Sequence, residues 1–231
     1  MTVSHSMRLM ILFSLGLITA GTLRWATTSV ESFHGLSAIP TPLYVALSVY
    51  ITIRVVRSPT GWAGIGVGIP PKPAAHLALG VSGAVAAVLA GDLLEPVWIF
   101  LFESGRDLSR FDETVTSVPG LIALLALNWS FAAFGEEFAF RGLLMRGLTS
   151  ALGDNRCVTL VPYLVQAGIF GLVHAYQGPA GVAGATVSGL VFGGVVWIAQ
   201  GSLWPAVLSH GLSNTYGIVT LWMQANSVAG T

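Results

Sequence analysis

Glu136, Glu137 and Arg141 crowd into the stretch FGEEFAFRG, residues 134–142, of a 231-residue chain in which only 9% of residues are charged. Two further apolar segments carry polar side chains: FGLVH, which ends at His174, and SHGLSN, which holds His210 and Asn214. An ionisable group inside a membrane span costs about 2.5–3.5 kcal/mol even on insertion scales, so such residues are functional candidates by default. On a helix Glu137 and Arg141 are i and i+4, the favourable order for an ion pair, and their charges offset each other. Glu136 stands ~100° further round the helix. It can therefore point elsewhere, as a carboxylate poised to exchange a proton.

Phe170 with His174, and His210 with Asn214, are also four residues apart and share helix faces. At a rise of ~1.5 Å per residue, Glu136 lies ~15 Å from Arg146, His174 ~18 Å from Pro162 and Asn214 ~14 Å from Pro205, so the three groups can meet at one depth. Singly, either histidine or the asparagine reads as interhelical glue. Together with the glutamate pair they read as a site. A carboxylate within ~2.6–3.2 Å of a water is a general base for amide hydrolysis, and His210 and Asn214 can donate hydrogen bonds to the oxyanion that forms. Two histidines and a glutamate could instead ligate zinc. No HExxH is present, however, because His174 is followed by AYQG and His210 by GLSN. Catalysis without metal or cofactor is the favoured reading. The competing function is a proton-coupled transporter using the same charges as a relay, against which stands the lack of repeated halves.

The elements that position these residues must be membrane helices. The chain is 54% hydrophobic, with 28 glycines and 7 tryptophans, and its mean hydropathy is +0.77. Lipid rules out open sheets, because every backbone polar group must be satisfied internally. We read an all-α, multi-pass membrane protein, one domain over residues 1–231. Expected spans are 7–23, 42–56, 74–94, 119–148, 161–176, 180–198 and 204–223. The fourth is too long for one plain crossing, and the apolar piece 96–102 lies in the interface or completes an eighth span. Arg8 and the ITAG sequence fit a cleaved signal peptide, but the many later spans favour an uncleaved first helix.

The placement of Arg8, Arg54, Arg57, Lys72, Arg146 and Arg156 favours a cytoplasmic N-terminus, in a plasma-membrane protein. The segment 103–113 is then an external connector. Residues 58–73, rich in Gly and Pro, lack the GK[ST] of a phosphate-binding loop and read as a loop at the membrane surface. Gly181, Ala185, Gly189 and Gly193 recur every four residues as a packing stripe. Ten basic residues balance ten acidic ones, which argues against a nucleic-acid partner. The single Cys157 excludes an internal disulfide. His5, His34 and His76 fall near span ends or in loops and receive no role.

EEFAFR fits EExxxR, FGLVH fits FxxxH and HGLSN fits HxxxN, in order. Over residues 121–216 the chain resembles the CPBP intramembrane proteases, the family of the type II CAAX prenyl endopeptidases and of bacteriocin-processing or self-immunity proteins. The resemblance implies about eight transmembrane helices around a polar, water-filled intramembrane cavity, one more than the seven spans counted above. It implies an endopeptidase acting on a membrane-associated protein or peptide, lipidated in the CAAX case and a leader or sorting tail in others. By the same resemblance Glu136 is the general base, and His174 helps to bind and orient the water. His210 and Asn214 stabilise the oxyanion, Glu137 and Arg141 support Glu136, and Phe170 shapes the site. A non-catalytic immunity or binding protein on the same fold is the remaining alternative.

Overall fold

The computed structural model describes residues 8, 11, 50, 53–54, 56–70, 72–112, 114–152 and 156–228. The described residues are helical or irregular, without a strand. The expected spans 7–23 and 42–56 lie almost wholly outside them. The main helices are α1 (Pro73–Phe102), α2 (Val118–Leu127), α3 (Arg146–Leu152), α4 (Arg156–Leu172), α5 (Gly178–Ile198) and α6 (Trp204–Val228). Three continuous helical runs, Pro73–Phe102, Val118–Leu152 and Ala175–Ile198, are long and apolar enough to cross a membrane, and Leu160–Leu172 is a shorter apolar helix. The 25-residue α6 is long enough as well. Its Ser209, His210, Ser213, Asn214 and Thr215 make it the most polar of the long helices.

α1 begins with Pro73 at its first turn, where a missing N–H costs nothing. It then runs through Pro96 to Phe102, so residues 96–102 continue this helix rather than standing apart from it. One face of α1 buries Gly80, Gly83, Ala84 and Ala87, and these small residues let α6 and α5 approach closely. Ser209 on α6 donates its hydroxyl to Gly80 O at 2.8 Å across this contact. The opposite face presents Leu77, Val81, Val85, Leu89 and Leu93 at four-residue intervals, all exposed. That is the pattern of a lipid-facing stripe.

The over-long fourth span is one continuous 35-residue run, Val118–Leu152. Within it Asn128–Glu136 and Phe138–Met145 adopt the wide π winding, with i→i+5 bonding. A wider turn advances less per residue, which fits more residues into one crossing and explains the length. π segments are rare and concentrate at functional sites, and here they carry the EEFAFR motif.

The loop before α1 is more than a surface connector. Gly61–Ile65 forms a short 3-10 turn, and Ile65, 2% exposed, joins Phe140, Leu143, Leu144 and Phe170 in the core. Gly66 O accepts from Leu203 N at 2.9 Å. Gly66 has φ 91° and faces the Arg146 guanidinium and Gly201 O, a place where only glycine fits both the conformation and the space. The described part of the connector expected at 103–113, residues 103–112, is irregular apart from Ser109–Phe111, and Asp107 N bonds Gln177 O at 3.0 Å, tying it to the turn before α5.

A Cβ at Gly83 would meet Ser209 Oγ and stand 2.7 Å from Val195 Cγ2. Gly83→Val should therefore destabilise the protein by about 1–3 kcal/mol. Gly91 has nothing within 4 Å of a built Cβ, and Gly91→Ala should stabilise by roughly 0.5–1 kcal/mol. Thermal unfolding of both variants in detergent, followed by tryptophan fluorescence, tests the opposite signs.

Candidate active site

The second π segment and the turn before it place Glu137 and Arg141 in the interior, both 0% exposed. Arg141 Nη1 donates to Glu137 Oε1 at 2.8 Å, the expected i,i+4 pair. The same carboxylate oxygen takes His210 Nδ1 at 3.0 Å. Arg141 Nη2 donates to Gly189 O on α5 at 3.1 Å, so the small-residue stripe of that helix supplies an acceptor as well as packing. One guanidinium thus joins the EEFAFR segment, α5 and, through Glu137, α6.

Aromatic rings enclose this charge. The Arg141 guanidinium carbon lies 4.6 Å from the centroid of Phe170, 5.6 Å from Phe192 and 6.0 Å from Phe140. A desolvated cation over a ring gains about 2 kcal/mol or more. Phe170 also stands 4.8 Å from the His174 ring and 5.8 Å, edge-on, from the His210 ring, and Phe192 stacks on His210 at 4.8 Å. Phe170 is the hub at which the two histidine motifs meet.

The hydrogen bonds assign the histidine tautomers. His174 Nδ1 lies 2.7 Å from Phe170 O, and a carbonyl only accepts, so Nδ1 carries the proton. His210 Nδ1 likewise faces the Glu137 carboxylate. In each neutral ring Nε2 is then left as an acceptor. His210 can donate from Nε2 only as the doubly protonated ring, a condition that the sequence reading of its oxyanion role lacked.

His174 does not sit inside a span as expected, because α4 stops at Leu172. His174 caps the 3-10 turn Ala175–Gln177, and Gly178, at φ 77°, leads into Pro179 and α5. The half-buried Glu136 keeps a carboxylate oxygen, Oε2, that is buried with no hydrogen-bond partner. Asn214 is half-buried one turn beyond His210. The structure therefore gathers Glu137, Arg141, Phe170, His174 and His210 by direct contact. It shows no hydrogen bond joining Glu136, His174 and Asn214 to one another among the described residues. Nor does any group of three or more His, Cys, Asp or Glu there stand where it could hold a metal ion.

Sequence reasoning missed two buried amides. Asn128, 4% exposed, donates through Nδ2 to Gly211 O at 2.9 Å and Thr215 Oγ1 at 3.2 Å, which fixes α6 beside His210. Gln166, 0% exposed, donates to Gly189 O at 2.9 Å. The available signal was an uncharged amide inside an apolar run, expensive there unless it is bonded.

Breaking a buried pair from one side leaves an uncompensated charge and costs about 3–5 kcal/mol. Arg141→Met should lose that much stability, and the double change Glu137→Gln with Arg141→Met should recover part of it. Thermal midpoints of the two single variants and the double variant read the coupling.

No curated protein and no solved structure matches the chain. Residues 118–216 match the family model described as Type II CAAX prenyl endopeptidase Rce1-like, a segment that begins with α2 and ends two residues beyond Asn214. With its three ordered motifs on this segment, the chain is similar over residues 118–216 to the Rce1-like type II CAAX prenyl endopeptidases.

Proposed function

We propose that the protein is an intramembrane endopeptidase that hydrolyses a peptide bond with a water activated by Glu136. One observation carries the reading: the adjacent glutamates have different surroundings. Oε2 of each glutamate is buried without a partner, but Glu137 Oε1 is held by both Arg141 and His210, whereas Glu136 forms no ion pair among the described residues. The first carboxylate is committed to structure, and the second is free to take a proton.

In this reading a water donates one hydrogen to Glu136 and the other to His174 Nε2, which is an acceptor because Nδ1 donates to Phe170 O. The water oxygen attacks the peptide carbonyl as its proton passes to Glu136. The Asn214 amide and the protonated His210 ring donate to the oxyanion. Collapse of the tetrahedral intermediate breaks the C–N bond, and the proton on Glu136 goes to the leaving amine. No metal or other cofactor takes part. The single domain is a bundle of seven to eight transmembrane helices in the plasma membrane with its N-terminus in the cytoplasm, and its substrate is a lipidated CAAX-type tail or a membrane-bound leader or sorting peptide.

Glu136→Gln keeps shape and should abolish turnover with little change in thermal midpoint. Asn214→Ala removes one oxyanion donor and should lower kcat by ~10²–10³. Both are measured on quenched farnesylated and unmodified peptides with the purified protein in detergent, with and without a chelator. Cleavage that survives in Glu136→Gln, or is lost on chelation, overturns the mechanism. A wild type that cleaves nothing favours a transporter or a non-catalytic immunity protein.

A further inference from the structure

Gln166 belongs to none of the three motifs, yet it is completely buried. It precedes Phe170 by four residues, so the two share one face of α4. Its Nε2 donates to Gly189 O at 2.9 Å and to Tyr163 O at 3.0 Å. Gly189 O is the same atom that receives Arg141 Nη2 at 3.1 Å. The other guanidinium nitrogen, Nη1, holds Glu137 Oε1 at 2.8 Å, and that oxygen takes His210 Nδ1 at 3.0 Å. An unbroken line of hydrogen bonds therefore runs from α4, across a carbonyl of α5 and the EEFAFR segment, to the imidazole on α6.

We infer that Gln166 is a positioning residue for the site. By sharing the Gly189 carbonyl with Arg141 it fixes where the guanidinium sits, and through Glu137 it fixes the tautomer and orientation of His210. The kinetic consequence rests on the catalytic reading above; the structural one does not.

Packing alone does not account for an amide at this position. The glycines already bring α5 onto α4: a Cβ at Gly193 would stand 2.5 Å from Gln166 Nε2, and one at Gly189 3.0 Å from Ala167 Cα. A methionine fills nearly the same volume as glutamine but cannot donate to Gly189 O. Gln166 Oε1 is also buried without a partner, a cost that an apolar side chain would avoid. The amide is explained by what its Nε2 holds. Tyr163, one turn earlier on α4, provides the comparison. Its hydroxyl donates to Leu190 O at 2.8 Å, so it ties the same two helices at the neighbouring carbonyl. No hydrogen bond leads from that carbonyl to the guanidinium.

The test reads His210 directly. The full-length protein is labelled with 15N-histidine in detergent micelles, the His210 ring signals are assigned by their loss in His210→Gln, and their tautomer pattern is compared among wild type, Gln166→Met and Tyr163→Phe. Thermal midpoints are recorded alongside. Gln166→Met should shift the Nδ1 and Nε2 signals of His210. On a farnesylated peptide that the wild type cleaves, it should lower kcat about tenfold with KM unchanged, equivalent to ~1.4 kcal/mol in the barrier. Tyr163→Phe should lower the midpoint comparably and leave both readouts alone. If Gln166→Met does not fold, Gln166→Asn, one methylene too short to reach Gly189, takes its place. Unchanged His210 signals in the Gln166 variant, or equal shifts in Tyr163→Phe, would make Gln166 an ordinary packing contact and overturn the inference. Failure of the catalytic reading would appear separately, as a wild type that cleaves nothing while the His210 comparison still gives its answer.

Discussion

Glu137 Oε1, 2.8 Å from Arg141 Nη1 and 3.0 Å from His210 Nδ1, is the point on which the architecture turns. A lone carboxylate or guanidinium in the bilayer interior is heavily penalised. Paired, each removes most of the other's cost, provided that their remaining hydrogen-bonding atoms also find partners. The surrounding structure meets that condition in part. Gly189 supplies a carbonyl to Nη2, and Phe140, Phe170 and Phe192 offer ring faces to the guanidinium. His210 adds a second donor to Glu137 Oε1 from α6, while Glu137 Oε2 and Arg141 Nε stay without partners, so a demand created by one helix is met in part by residues of three others.

The backbone choices follow from this arrangement. Arg141 bonds the Gly189 carbonyl, and the neighbouring helix can come as close as Ala167 Cα because Gly189 has no side chain. A small residue here works twice, as a gap for packing and as an exposed acceptor. The π winding of Asn128–Glu136 and Phe138–Met145 is held by contacts at both ends. Asn128 is bonded to α6, and Phe140 packs edge-on against Phe170 on α4. Local preference alone would favour the tighter α form, so tertiary contact is what keeps the turn wide.

What the sequence reveals and what it hides divide along the range of the interaction. The Glu137–Arg141 pair and the Phe170–His174 relation are four-residue spacings, and both appear in the structure. The structure sets the two histidines against the Phe170 ring, while helix depth names Glu136, His174 and Asn214, which no hydrogen bond joins among the described residues. Hidden were the contacts that depend on distant segments. Nothing local in HGLSN says that His210 Nδ1 is spent on Glu137, 73 residues away. Nothing in a Gly- and Pro-rich loop says that Ile65 will enter the core. The expected third span ends at residue 94, whereas the helix continues through Pro96 to Phe102. The early stop of α4 before His174 was overlooked because apolar composition runs on past the point where Gly178 and Pro179 redirect the chain.

Both histidines are tethered through Nδ1, one to a carbonyl and one to a carboxylate, and the difference bears on the chemistry. A carbonyl partner demands a proton on Nδ1 and does little to stabilise a second proton on the ring. The neutral His174 ring therefore accepts at Nε2. A carboxylate partner accepts from Nδ1 in either ring form, and only the doubly protonated ring also donates from Nε2. The same fold thus prepares two imidazoles, within contact of one phenylalanine, for opposite hydrogen-bonding roles. Each role follows from the atom on the far side of the ring, so a change at Glu137 alters His210 while leaving the tether of His174 to its own helix intact. The adjacent glutamates differ in the same way: Glu137 holds Arg141 and His210, and Glu136 forms no ion pair among the described residues.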